Sequence, residues 1–124
     1  MVIRLPNRIF VLAYFAALFS MIILSLVPQP NLRAPEGGDK ALHLVTYGVI
    51  AGCAGLGFVS WNQRVLAGTT AIGIGIYLEL AQLVWAARNG SVADGLSNIV
   101  GVILGLAAAW LILKLFERYS PAAF

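Results

Sequence analysis

The stretch VLAGTTAIGIGIYLELAQLVWAA, residues 65–87, decides how this chain folds. At about 1.5 Å of rise per residue it makes a helix of about 35 Å, enough to cross a hydrocarbon layer of about 30 Å. Its one acidic residue is Glu79, with Gln82 one turn further on and Tyr77 and Trp85 flanking the pair. An ionisable group inside an apolar run of lipid length is costly, which marks Glu79 as a candidate functional position.

Three similar runs lie around it. Ile9 to Val27 is continuously apolar and follows Arg4 and Arg8. It is longer than the apolar region of a signal peptide and no A-x-A cleavage site follows, so it reads as a retained first helix. Pro28, Pro30, Pro35, Gly37 and Gly38 then make a loop. Ala41 to Ser60 is the second run, with Gly48, Gly52, Gly55 and Gly57 spaced for close helix approach in lipid. Residues 61–64 read as a short turn and Trp61 as an interface anchor. Gly95 to Leu115 is the fourth run and carries Gly101-x-x-x-Gly105. The expectation is one domain, residues 1–124. It is an all-α, four-helix transmembrane bundle with helices at about 9–27, 41–60, 65–87 and 95–115.

Composition agrees. The 124 residues are 60% hydrophobic and 10% charged, against about 25% charged in a soluble domain, and mean hydropathy is +0.90. The net charge of +3 comes from scattered Lys and Arg without a basic run, so nucleic acid is not an expected partner. The single cysteine, Cys53, cannot form an internal disulfide and reads as a small packing residue. If the N-terminus is cytoplasmic, Arg4, Arg8, Arg64, Lys114 and Arg118 lie inside, and Arg33, Lys40 and Arg88 outside. That basic bias places both termini in the cytoplasm.

The up-and-down order has a consequence for the polar residues. Helix two begins near Asp39 and Lys40, helix three ends near Arg88, and helix four begins near Asp94. All three points lie toward one leaflet, whichever way the chain is inserted. His43 is about 5 Å below Lys40, Asn98 about 6 Å below Asp94, Gln82 about 9 Å and Glu79 about 13 Å below Arg88. Asp39, His43 and Tyr47 share a stripe of helix two, Glu79, Gln82 and Trp85 a stripe of helix three, and Asp94, Asn98, Gly101 and Gly105 a stripe of helix four. Asp39-x-x-x-His43 is echoed by Asp94-x-x-x-Asn98, either as an internal repeat or as the common preference for Asp at helix N-termini.

The candidate binding residues are therefore Asp39, Lys40, His43, Tyr47, Glu79, Gln82, Arg88, Asp94 and Asn98, and the candidates for acid–base chemistry are Glu79 and His43. Each also has a structural reading. Glu79 is either a proton-handling carboxylate or one that fixes helix packing by pairing with Arg88, Lys40 or His43. His43 is either a base or a hydrogen-bonded core residue. The two aspartates serve as caps, at least in part. Arg88 either grips a phosphate or carboxylate, as arginine forks do, or pairs with Asp94 at the surface. No metal-ligand spacing, cofactor motif or nucleophile motif is present.

The ordered set Asp39-Lys40-x-x-His43-x-x-x-Tyr47, Glu79-x-x-Gln82, Arg88, Asp94, Asn98, Gly101 and Gly105 resembles the VanZ-like family of small integral membrane proteins. The likeness runs from Asp39 to Gly105 across three helices. It implies a multi-pass protein of the bacterial inner (cytoplasmic) membrane with a polar site among these residues, which the basic bias of the loops turns toward the outer leaflet. The family label is teicoplanin resistance, after its eponymous member, and most members have no established activity. The expected partner is a membrane lipid or lipid-linked envelope precursor, with Lys40 and Arg88 holding an anionic head group above Glu79, His43 and Gln82. The alternative is an accessory subunit packed against a larger membrane protein complex, with the cluster only holding the bundle together. A proton or solute pathway is a third reading, and the short loops and few helices count against it.

Overall fold

The computed structural model describes the backbone of residues 4–26, 38–85 and 92–119, and the side chains of 8–26, 41–81 and 95–116. Four helices follow one another: α1 (Arg4–Leu26), α2 (Gly38–Gly57), α3 (Trp61–Trp85) and α4 (Val92–Tyr119). There is no strand among the described residues. The chain is an all-α bundle. By length and composition, Arg8–Leu26, Trp61–Ala81 and Gly95–Phe116 are each long and apolar enough to cross a membrane. The apolar part of α2, Ala41–Gly57, is shorter at 17 residues. Its polar first turn completes a helix of 20 residues, about 30 Å long.

The helix boundaries differ from the sequence reading most clearly between α2 and α3. Residues 61–64 were expected to form a turn, yet α3 already begins at Trp61 and the turn is residues 58–60. A reciprocal cap explains the difference. The Ser60 hydroxyl accepts from the Gln63 amide at 3.2 Å, and the Ser60 amide donates to Gln63 Oε1 at 3.3 Å. This is a capping box, S-x-x-Q, which satisfies two amides at the helix start. Arg64 Nε donates to the Phe58 carbonyl at 2.8 Å and so holds the chain just past the end of α2.

The packing fixes the directions of the helices. A Cβ at Gly57, at the end of α2, would lie 2.7 Å from the Val11 amide near the start of α1, so α1 and α2 are antiparallel. Tyr14 lies edge-on to Phe58 and donates to the Ala67 carbonyl at 2.9 Å, tying α1 to the first part of α3. A Cβ at Gly68 would lie 2.9 Å from Val102, and one at Gly75 would lie 3.2 Å from Asn98, so α3 runs against α4. Helices α2 and α4 are parallel and share the largest interface, while α2 also touches α1 and α3. Among the described residues α1 and α4 do not meet. The start of α1 and the end of α4 therefore lie at the end of the bundle that holds residues 58–60, and the starts of α2 and α4 lie at the other.

Glycine lets α2 and α4 approach backbone to backbone. A Cβ at Gly105 would collide with the Gly48 carbonyl and lie 2.9 Å from the Gly52 amide. One at Gly101 would lie 2.5 Å from the Leu44 carbonyl. In lipid, where association gains nothing from excluding water, such close packing is a main source of attraction. The rest of the interior is also fine-grained: Ala51, Ala54, Ala67 and Ala71 are buried with Tyr14, Tyr47, Ile50 and Val102. Cys53 packs at its margin. Large apolar side chains such as Leu12, Phe19, Leu66, Leu96 and Ile103 point outward. A bundle with small residues inside and large apolar ones outside is the arrangement suited to lipid.

Candidate functional site

The polar residues gather where α2 and α4 begin and α3 ends. His43, in the second turn of α2, is joined through Nδ1 to Asn98 Oδ1 of α4 at 2.9 Å. Asn98 is only 1% exposed, the one polar residue buried to that degree among the described residues. A buried amide needs hydrogen-bond partners, and His43 supplies one. One turn beyond His43, Tyr47 is buried with its ring nearly parallel to the imidazole, 16° between planes and 6.4 Å between centroids. The i, i+4 stripe of α2 thus places an imidazole and a phenol one above the other against α4.

Helix α3 closes the third side. A Cβ at Gly75 would collide with the Tyr47 hydroxyl and lie 3.2 Å from Asn98 Nδ2. The missing side chain of Gly75 is therefore the space in which the Tyr47 hydroxyl and the Asn98 amide meet the face of α3. Glu79 lies one turn further along that face. Its Oε1 is buried. His43, Tyr47 and Asn98 thus form one polar group packed against the glycine of α3, with the buried Glu79 one turn further along that helix.

Of the residues singled out from the sequence, the structure brings His43, Tyr47 and Asn98 together and places Glu79 one turn along α3 from their meeting point with Gly75. Asp39 and Lys40 fall in the first turn of α2, Asp94 in the first turn of α4 and Gln82 in the last turns of α3. Their side chains, and the whole of Arg88, lie outside the described residues. Gly101 and Gly105 act in packing, as their spacing suggested. Tyr77 points away from the bundle and is 71% exposed. Trp61 is exposed at the start of α3 with Arg64 over its ring at 5.8 Å, and Trp110 holds Lys114 at 4.6 Å at the same end. Such pairs of aromatic ring and cation suit a membrane–water interface.

Sequence reasoning missed Gly75. The signal was the four-residue step from Gly75 to Glu79, which puts the glycine on the same face as the carboxylate. Among the described residues no group of His, Cys, Asp and Glu could hold a metal ion.

The arrangement defines a helical bundle of membrane type with a small, three-sided polar interior near one end. No protein-family model, curated protein or solved structure matches the chain.

Proposed function

We propose that this chain is a VanZ-like protein of the bacterial inner membrane, with both termini cytoplasmic. Its polar site, near the outer leaflet, binds or modifies an envelope lipid or glycan intermediate. One observation carries the reading: His43, Tyr47 and Asn98 meet between α2 and α4 at the Gly75 face of α3, and the buried Glu79 carboxylate lies one turn along that face. Polar groups in a lipid-facing bundle are costly, and an ionisable imidazole and carboxylate there mark a functional candidate. In this reading Lys40 and Arg88 bind an anionic head group, and Glu79 and His43 act beneath it.

The test is native mass spectrometry of the purified protein with lipid-linked envelope precursors, wild type against Glu79→Gln. Glutamine keeps the shape and removes the charge. We expect the wild type to retain precursor and Glu79→Gln to lose at least tenfold in affinity with its helix content unchanged. Equal binding by both proteins would remove Glu79 from the site. No binding by either, with a stoichiometric protein partner co-purifying, would replace this reading with that of an accessory subunit.

A further inference from the structure

We propose that Asn98 is a positioning residue that holds His43 in the Nδ1–H tautomer, leaving Nε2 as the proton-accepting nitrogen offered to a ligand hydroxyl or amine. This role deepens the functional reading above and rests on it for the identity of the ligand, but not for the state of the imidazole.

Hydrogen-bond polarity selects the tautomer. An amide has an acceptor end and a donor end of nearly the same shape, so its neighbours decide which way it faces. Two groups border Asn98: the imidazole of His43 at 2.9 Å, and the Tyr47 hydroxyl, which shares with Asn98 Nδ2 the space left by Gly75. The structure has Asn98 Oδ1 against His43 Nδ1 and Nδ2 on the side of the Tyr47 hydroxyl. A phenol oxygen can accept from an amide N–H, whereas Oδ1 only accepts. An oxygen acceptor demands a donor, so Nδ1 carries the hydrogen.

The consequence is chemical. In a neutral imidazole with Nδ1 protonated, Nε2 on the opposite edge is the lone-pair nitrogen. When it takes a proton from a ligand O–H or N–H, the ring becomes imidazolium and the ligand keeps the electron pair. The Nδ1–H bond to Asn98 Oδ1 persists through the transfer and becomes charge-assisted. The near-parallel Tyr47 ring and the buried amide hold the imidazole plane, so Nε2 has a fixed direction.

His43 is the chain's single histidine, which makes the test direct. The full-length protein, labelled with 15N-histidine and embedded in lipid bilayers, is measured by solid-state NMR at a pH where the ring is neutral. We expect one pair of ring resonances with the proton on Nδ1. Asn98→Leu removes the acceptor and should shift the proton to Nε2, the tautomer that free histidine prefers. Asn98→Asp still accepts and should keep it on Nδ1, so a readout remains if the leucine variant does not fold. A wild-type proton on Nε2 would overturn the proposal, as would a tautomer unchanged by Asn98→Leu in a folded protein. Ligand binding plays no part in this readout. A protein that binds no precursor yet shows the Nδ1–H tautomer would sink the function and leave the role of Asn98 intact.

Discussion

At the scale of single residues, the absence of a side chain at position 75 does as much as the side chains around it. Tyr47 reaches the face of α3 because Gly75 has no Cβ. Gly75→Ala should push the phenol aside and cost about 1–3 kcal/mol, the usual range for overpacking a filled interior. A Cβ at Gly73, two residues earlier, would meet nothing within 4 Å. Gly73→Ala should therefore be neutral or slightly stabilising, since alanine favours helix. Thermal unfolding in detergent should separate the two variants clearly. Similar losses for both would show that α3 is not seated against Tyr47.

Between elements, the parallel pair α2 and α4 is the frame of the molecule. Their glycines are matched, Gly48 and Gly52 against Gly101 and Gly105, so one large residue has two backbones to displace. Gly105→Val should separate the helices and lower the unfolding midpoint by more than any single change on the outer surface. It should also weaken the bond between His43 and Asn98, seen as a change in the histidine NMR spectrum. Two parallel helices starting side by side bring two positive dipole ends together. Asp39 and Asp94, in the first turns of α2 and α4, are placed to offset them. That is a physical reason for the echo between Asp39-x-x-x-His43 and Asp94-x-x-x-Asn98 that needs no repeat. At the other end, Ser60→Ala removes half of the capping box. It should cost about 0.5–2 kcal/mol, read as earlier unfolding or faster amide exchange in the first turn of α3.

For the whole molecule, the order of the helices puts the end of α3 and the start of α4 at one end of the bundle and residues 58–60, with the start of α1 and the end of α4, at the other. In a Cys53→Ala background, single cysteines at Ser91 and Asn62 should therefore react with a membrane-impermeant thiol reagent from opposite sides. Labelling of both from one side would contradict the bundle. Labelling of Ser91→Cys from the cytoplasm would leave the bundle standing and reverse the proposed orientation.

The number of helices, their order and the end of the bundle shared by His43 and Asn98 could all be read from the sequence. Lipid-length apolar runs leave the backbone one way to satisfy its hydrogen bonds, and alternating direction then fixes which ends meet. The stripe carrying His43 and Tyr47 was legible for the same reason, because helical spacing is fixed. Other features were decided only by the tertiary structure. The sequence placed a turn at 61–64, but whether Ser60 and Gln63 close a cap depends on the approach angle of the chain. It marked His43 and Asn98 as candidates without pairing them, because a bond between α2 and α4 depends on how closely and in what register two glycine-bearing helices pack. Gly75 carried no chemistry to flag it. Its role exists only once the Tyr47 hydroxyl from another helix occupies the space beside it, and no one-dimensional pattern records a space that a neighbour fills.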